Sequence, residues 1–164
     1  MQSSASGYTL IEMAFVIAIT GMLAALAVTH YSDQIPHQQL RDISSLLVGE
    51  LRLARQKAIS RGADETILFD SKLRQYKDSS LGTQTLPNHV RFGSDPKITK
   101  APSGDSNIPQ DGITFVGNSA TFRPNGTGKN GTIYLTNSKN ESVSITINFT
   151  GRVRKYVWNG HDWE

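Results

Sequence analysis

Hydrophobic residues are concentrated near the start of the chain. From Met13 to Val28 the sequence reads MAFVIAITGMLAALAV, with no charged side chain and only Thr20 as a polar one. With Tyr8–Ile11 in front and Thr29 behind, the segment reaches the roughly twenty residues that an apolar helix needs to cross a bilayer. We therefore expect residues 8–29 to form a transmembrane helix. Its frequent Ala and Gly residues would let other helices approach closely.

The pattern becomes amphipathic after this segment. Residues 30–37 are polar and contain Pro36, which removes a helical hydrogen bond and predicts a kink or a break. Beyond it, apolar residues recur every three or four positions, as on one face of a helix: Leu40, Ile43, Leu47, Leu51, Ala54 and Ala58. A cation followed by glycine at Arg61–Gly62 is typical of a helix end. Residues 30–62 are thus predicted to continue the helix.

From Thr66 onwards the pattern changes to short, alternating runs. Ser94–Gln110 contains three prolines and is expected to be an exposed loop. The predicted strands are Thr66–Phe69, Arg74–Tyr76, His89–Phe92, Ile113–Val116, Thr121–Arg123, Thr132–Thr136, Val143–Phe149 and Val153–Trp158. Residues 63–164 would form a β-rich head. The predicted fold class is α+β: a long N-terminal helix, with a membrane half and an amphipathic half, packed on a C-terminal antiparallel β-sheet.

Composition narrows the class of protein. The 164 residues are 37% hydrophobic and 19% charged, which excludes a disordered chain and a polytopic membrane protein. The formal net charge of +3 is too small to indicate nucleic-acid binding by itself. The chain has no Cys, which excludes disulfides and thiolate metal sites.

Glu12 is an acidic residue inside the apolar segment. A carboxylate near a bilayer centre costs about 2.5–3.5 kcal/mol, so it is expected to have a partner. Cleavage after Gly7 would supply one, because the new α-amine of Tyr8 would be cationic and could meet Glu12 of a neighbouring subunit. A cleaved secretory signal is disfavoured, because the start lacks Lys and Arg and the apolar stretch is too long. A plain single-span anchor remains open.

The letters GYTLIE, from Gly7 to Glu12, followed by MAFVIAITGMLAALAV, resemble the class III signal of type IV pilins and type II secretion pseudopilins. The resemblance implies a leader of residues 1–7, cleavage after Gly7 by a membrane prepilin peptidase, and N-methylation of Tyr8. It also implies that Glu12 guides assembly into a filament. Two features depart from the family pattern: Tyr8 replaces the usual Phe, and the leader lacks basic residues.

The same resemblance implies partners and a location. The partners would be prepilin peptidase, other pilins or pseudopilins, and inner-membrane lipid. The protein would first be a single-pass inner-membrane protein with a periplasmic head, and would then enter a pilus or pseudopilus.

Basic and aromatic residues alternate after Gly151. If this stretch is a strand, one face carries Arg152, Arg154, Tyr156 and Trp158, with neighbours about 6.5 Å apart. Val153 and Val157 would then face the core. Guanidinium groups beside aromatic rings can hold phosphates and stack bases. The alternative is an edge strand whose charges prevent edge-to-edge aggregation.

The segments LARQKAISRG, TFRPNGTG, TIYL and TGRVR are similar to the GspH/FimT group of minor pilins and pseudopilins. In the FimT branch a Gly-Arg-x-Arg tail is associated with DNA binding during natural transformation. The resemblance places that motif at Gly151, Arg152 and Arg154, with Lys155 beside it, and implies double-stranded DNA as a further partner. Arg123 and Lys129 could add positive charge. In the secretion branch the same head would sit at a pseudopilus tip.

These observations favour a structural subunit, a minor pilin or pseudopilin, over an enzyme. A DNA-binding minor pilin is the alternative within this architecture, and a membrane-anchored binding protein that never polymerises is the alternative outside it. The Gly-x-Gly-x-x-Gly spelling at residues 126–131 lacks a following helix and predicts a hairpin. The histidines are scattered, and no metal-ligand, paired-carboxylate or nucleophile-elbow motif occurs. The four scattered histidines are His30, His37, His89 and His161. No cofactor or metal is expected.

Overall fold

The structure covers most of the chain. The computed structural model describes these parts of it: residues 7–78, 82–104 and 108–164. The side chains of residues 26–33 are also not described. The predictions for the leader residues 1–6 and for the His30 side chain therefore lie outside the described part of the chain. The chain forms two compact units, which divide between Ile35 and Pro36.

One helix forms the N-terminal third of the chain. Helix α1, Leu10–Arg61, has 52 residues. It begins after Thr9, whose hydroxyl accepts a 3.3 Å hydrogen bond from the N–H of Glu12 and so caps the first turn. The break expected near Pro36 is absent, since the helix continues through this residue. The helix ends as predicted, with Gly62 in the left-handed conformation at φ 65°.

The described residues contain no helical segment that combines the length and the hydropathy needed to cross a membrane.

Among its described residues, the head contains two antiparallel sheets of four strands each, in the orders β3-β2-β1-β5 and β4-β6-β7-β8. The predicted α+β fold is therefore confirmed. The strands are β1 Glu65–Asp70, β2 Gln75–Asp78, β3 Gly82–Thr85, β4 Val90–Phe92, β5 Ser119–Phe122, β6 Gly131–Asn137, β7 Ser142–Ile147 and β8 Val153–Val157.

One predicted strand was wrong, and one observed strand was not predicted. Ile113–Val116 is not a strand: Ile113 forms only an isolated bridge to Ile133, and Val116–Asn118 is a 3₁₀ turn. Strand β3 was not predicted, because all four of its side chains are exposed and show no alternation. The Gly-rich segment after β5 forms the predicted hairpin turn by folding back on β5, where Gly128 bridges Phe122.

The loop expected to be exposed at Ser94–Gln110 forms no strand in its described residues, but it is partly buried. Ile98 and Ala101 are each 4% exposed and pack with Tyr134 and Trp163 in a small apolar cluster. The prediction of an exposed loop was therefore wrong for these two residues, because apolar side chains anchor them to the head.

The main core joins α1 to both sheets. Every residue on the predicted apolar face of the helix is buried, which confirms that face: Leu40, Ile43, Leu47, Leu51, Ala54 and Ala58. Burying a Leu or Ile side chain contributes about 1.5–3 kcal/mol, so this face fixes residues 36–61 against the sheets. The same packing brings Ser45 of α1 within hydrogen-bond distance of Lys155 on β8, an edge strand of its sheet.

Candidate functional site

The first candidate site is the start of α1. Tyr8 is 76% exposed, and Glu12 lies in the first turn with its side chain exposed. The backbone N–H of Glu12 is bonded to Thr9, but no described residue bonds to its carboxylate. A carboxylate in the first turn also interacts favourably with the helix dipole. The charged group is thus oriented by the helix and available to a cation outside the described chain.

The side chains that follow Glu12 have few contacts of their own. The large apolar ones between Leu10 and Leu23 are 50–88% exposed. Contiguous apolar surface of this kind marks an interaction site rather than a solvated one. The N-terminal unit therefore presents an apolar helix that requires another surface to cover it.

The second candidate site is the basic tail on β8, the edge strand of its sheet. Arg152 and Arg154 are exposed, and Arg154 Nη1 lies 3.4 Å from the Tyr156 hydroxyl. Val153 is buried at 6% exposure, as predicted. Val157 was predicted to face the core but is 47% exposed. Val157 pairs with Val143 of β7 on one side, its backbone bonds to Glu164 on the other, and its side chain lines a groove beside α1.

The aromatic part of the tail is engaged within the protein. The rings of Trp158 and Trp163 are 5.3 Å apart in an edge-to-face arrangement. Trp163 donates a 2.6 Å hydrogen bond from Nε1 to the carbonyl oxygen of Lys100. Tyr156 and Trp158 are half-buried against this aromatic cluster, so less of their ring surface is available for base stacking than the sequence implied.

Lys155 lies on the other face of β8. Its Nζ donates a 3.1 Å hydrogen bond to the Ser45 hydroxyl on α1. The resemblance placed Lys155 beside Arg152 and Arg154, but alternation along the strand separates it from them.

Gly151 has a structural role that the sequence did not reveal. Its φ is 73°, and a β-carbon there would lie 2.2 Å from the carbonyl oxygen of Gly126 and 2.7 Å from Arg55 Nε. Arg55 donates hydrogen bonds to the carbonyl oxygens of Gly126, at 2.9 Å, and Thr150, at 3.2 Å. The glycine of the Gly-Arg-x-Arg motif therefore lets the β7–β8 turn close onto the helix.

A groove of about 570 Å³ separates α1 from the β7–β8 turn. We call it the basic groove; it is lined by Arg52, Arg55, Gln56, Ile59, Thr150, Gly151, Arg152 and Val153. Carbonyl oxygens engage Arg55, whereas Arg52 and Arg152 are exposed on opposite walls. Arg52 was predicted only as part of the solvated polar face of the amphipathic helix, because helical periodicity gives no information on what packs beside that face.

Arg123 and Lys129, which the sequence suggested as additional positive charges, lie away from the basic groove. Lys129 donates a hydrogen bond from Nζ to the carbonyl oxygen of Val116. Arg123 directly follows β5, and its backbone N–H bonds to the carbonyl oxygen of Thr127 in the Gly-rich turn at 2.9 Å. Neither residue lines the basic groove.

Comparison with known proteins then decides the family. A family model described as "Type II transport protein GspH" matches residues 44–151, which include most of the head and the helix that supports it. The chain belongs to the GspH family. A second model, described as "Prokaryotic N-terminal methylation motif", matches residues 2–28 of this GspH-family chain, the region that contains Gly7, Tyr8 and Glu12.

Relatives of the GspH-family chain include fimbrial proteins. It is 30% identical to a type IV major alpha-pilin of Moraxella bovis over 154 residues, which cover 93% of this chain and 82% of that one. It is 36% identical to the type IV major fimbrial protein FimA of Dichelobacter nodosus over 85 residues, 52% of this chain. That alignment spans about half the length of FimA, 47%.

A solved structure shares the fold. The minor pseudopilin EpsH from the type 2 secretion system of Vibrio cholerae matches with a TM-score of 0.52 at 14% identity. The match covers 73% of this chain and 97% of EpsH. The chain is thus a type IV pilin-like protein with a pseudopilin fold.

Proposed function

We propose that the chain is a minor pilin or pseudopilin, a structural subunit of a type IV pilus or a type II secretion pseudopilus. The observation that carries the proposal is the Glu12 carboxylate, which has no partner among the described residues and stands at the start of an uncovered apolar helix. This arrangement lies inside a match to the N-terminal methylation motif. A helix of this kind is suited to association with other helices.

The proposed maturation begins at the cytoplasmic side of the inner membrane, where residues 8–29 would hold the chain. Prepilin peptidase would cleave after Gly7 and methylate the amine of Tyr8. That amine would then pair with the Glu12 carboxylate of an adjoining subunit. The pair would neutralise both charges in an apolar setting and set the axial register of neighbouring helices.

Two measurements test this proposal. Mass spectrometry of the protein recovered from cells should show a chain that begins at methylated Tyr8; a chain that retains Met1 would favour a plain anchor. Glu12→Ala should leave cleavage intact but reduce incorporation into filaments by about a hundredfold to several thousandfold, because breaking a buried pair costs about 3–5 kcal/mol. Asp42→Ala, which removes an exposed acid on the same helix, is the matched control. Unchanged incorporation of the Glu12 variant would contradict the proposal.

A second candidate function is DNA binding during DNA uptake. The exposed guanidinium groups of Arg152, just before β8, and Arg154, on β8, support it together with Arg52 across the basic groove. Arginines of this kind bind phosphate oxygens through paired N–H groups. Duplex DNA should be shifted by the full chain in detergent at low salt, and the double variant Arg152→Ala/Arg154→Ala should abolish the shift. A shift that survives in the double variant would exclude the tail as the contact.

A further inference from the structure

The backbone of β8 is hydrogen-bonded to its sheet on one side only. Trp158 donates its N–H to Ser142 at 3.0 Å, and Asn148 donates its N–H to Arg152 at 3.2 Å. Since backbone groups alternate in direction along a strand, Arg154 also faces β7. The residues between them direct their N–H and C=O groups away from β7.

Val157 shows this outward direction. Its N–H bonds to the carbonyl oxygen of Glu164 at 2.7 Å, and its carbonyl accepts from Glu164 at 3.0 Å. The end of the chain thus closes the edge of β8 at this point. None of the hydrogen bonds among the described residues reaches the outward groups of Val153 and Lys155. Two donors and two acceptors on this short length of strand therefore have no partner among the described residues, and Lys155 is exposed to solvent.

A groove adjoins each end of this open edge. Val153 lines the basic groove, and Lys155 and Val157 line a second groove of about 350 Å³ against α1. We call the groove lined by Lys155 and Val157 the second groove. The residues of α1 that line it are His37, Leu40, Arg41 and Ser44. The hydrogen bond between Lys155 and Ser45 lies between the two.

The side chains along these grooves are mainly basic or apolar. The cations are Arg41, Arg52, Arg55, Arg152 and Lys155. Glu141 is the acidic residue among the groove linings, and it is bonded to His37 at 2.9 Å and to Asn137 at 2.6 Å. Charge complementarity therefore selects an acidic ligand, and the half-exposed Val157 offers an apolar contact beside it.

We propose that the open edge of β8 at Val153–Lys155 binds an extended, acidic segment of another filament subunit, which adds to the sheet as a strand. A peptide backbone supplies both the donors and the acceptors that the edge requires. Phosphates supply acceptors only and would leave the outward carbonyls of Val153 and Lys155 unpaired, which disfavours nucleic acid at this edge. The identity of the partner as a filament subunit rests on the proposed function.

Lys155 offers a matched pair of variants. Lys155→Ala removes the charge and keeps the outward N–H, whereas Lys155→Pro removes both. Because this N–H faces away from β7, proline is compatible with the edge strand. Binding through the backbone predicts that the proline variant loses binding and the alanine variant retains most of it. Binding through charge alone predicts equal loss in both.

The probe is an acetylated, amidated heptapeptide of alternating Glu and Val, added at about millimolar concentration, typical of weak recognition, to the full chain in detergent micelles. Amide hydrogen exchange measured by NMR should slow about tenfold at Val153 and Lys155 and stay unchanged at Arg154, which already faces β7. The same peptide with alternate backbone amides methylated is the control, and it should give no protection.

Several results would overturn the inference: no protection, equal protection by the methylated peptide, or protection of the same amides by duplex DNA. The methylated peptide keeps the test decisive even if Lys155→Pro fails to fold. The Glu12→Ala variant separates the two proposals, because it should lose filament incorporation and bind the peptide normally. Normal incorporation without peptide binding would contradict only the inference about the edge.

Discussion

A β-carbon at Gly151 would lie 2.7 Å from the Nε atom of Arg55, the atom that donates a hydrogen bond to Gly126. Gly151 also has a φ of 73°, a backbone angle that residues other than glycine rarely adopt. We predict that Gly151→Ala lowers the free energy of unfolding by about 2–4 kcal/mol, from backbone strain and from displacement of the arginine. Urea denaturation of the full chain in detergent measures this loss.

Gly62→Ala is the matched control. Gly62 has a similar φ of 65°, but nothing lies within 4 Å of the position of its β-carbon. It should lose only the strain of the left-handed conformation, about 1–2 kcal/mol. Equal losses at both glycines would show that the contact with Arg55 contributes nothing.

The helical half of the fold was predictable from sequence, and part of the β half was not. The three- and four-residue spacing from Leu40 to Ala58 identified the buried face because helical periodicity is a local property. Strand β3 escaped prediction because backbone bonds to β2 hold it and its side chains bury nothing. The alternating pattern at Ile113–Val116 was misleading, because Ile113 and Phe115 are buried in the core without belonging to a ladder.

For the basic site, the sequence predicted which side chains share a face of the strand, but not which residues of other elements lie beside them. Alternation gave the shared face of Arg152 and Arg154, but it gave no information on what lies across from that face. Lys155 contacts Ser45, 110 residues earlier in the chain, and this contact follows from how the helix packs on the sheet. Arg52 joined the site for the same reason. Tertiary packing of distant segments therefore decided which cations are neighbours.

A buried carboxylate supplies a pH-dependent prediction. Glu50 on α1 is 9% exposed, and one of its carboxylate oxygens has no hydrogen-bond partner among the described residues. Burial raises the pKa of Glu50 above its ordinary value, and the nearby Asp78 carboxylate adds to the effect. The Tyr76 hydroxyl and the Lys57 ammonium act in the opposite direction. The charged form of Glu50 is therefore unfavourable in the folded state.

The sign follows from linkage. Because the pKa of Glu50 is higher in the folded state than in the unfolded state, its stabilising contribution is complete below the unfolded pKa. That contribution is lost as the pH rises through the folded pKa. Glu50→Gln should therefore raise the free energy of unfolding by about 1–3 kcal/mol near neutral pH and leave it almost unchanged in acid. Urea denaturation at several pH values measures the difference.

Asp42→Asn is the control for the carboxylate prediction. Asp42 is exposed on the same helix, so removing its charge should produce no comparable gain at neutral pH. A Glu50→Gln variant that is less stable than the wild type at neutral pH would show that the contacts with Tyr76 and Lys57 outweigh burial.

Replacing Gly49 by alanine is predicted to stabilise the protein, in contrast to the same change at Gly151. It lies in the interior of α1, and nothing lies within 4 Å of the position of its β-carbon. Alanine there should fit without a clash and raise the free energy of unfolding by about 0.8–1 kcal/mol, the usual difference between the two residues inside a helix. Thermal unfolding compared with the wild type measures this gain. A loss of stability would show that the side chain meets an obstacle.

The basic tail makes a quantitative prediction about salt. Each phosphate contact contributes a slope of about −0.9 to a plot of the logarithm of the binding constant against that of the salt concentration. If Arg152 and Arg154 each hold one phosphate, the double alanine variant should reduce the magnitude of the slope by about 1.8. Fluorescence anisotropy with a labelled duplex measures both slopes. Lys72→Ala, which removes one cation outside the basic groove, should leave the slope unchanged because it holds no phosphate. If the Lys72 variant changes the slope as much as the arginine variants do, the attraction comes from net charge and not from the tail.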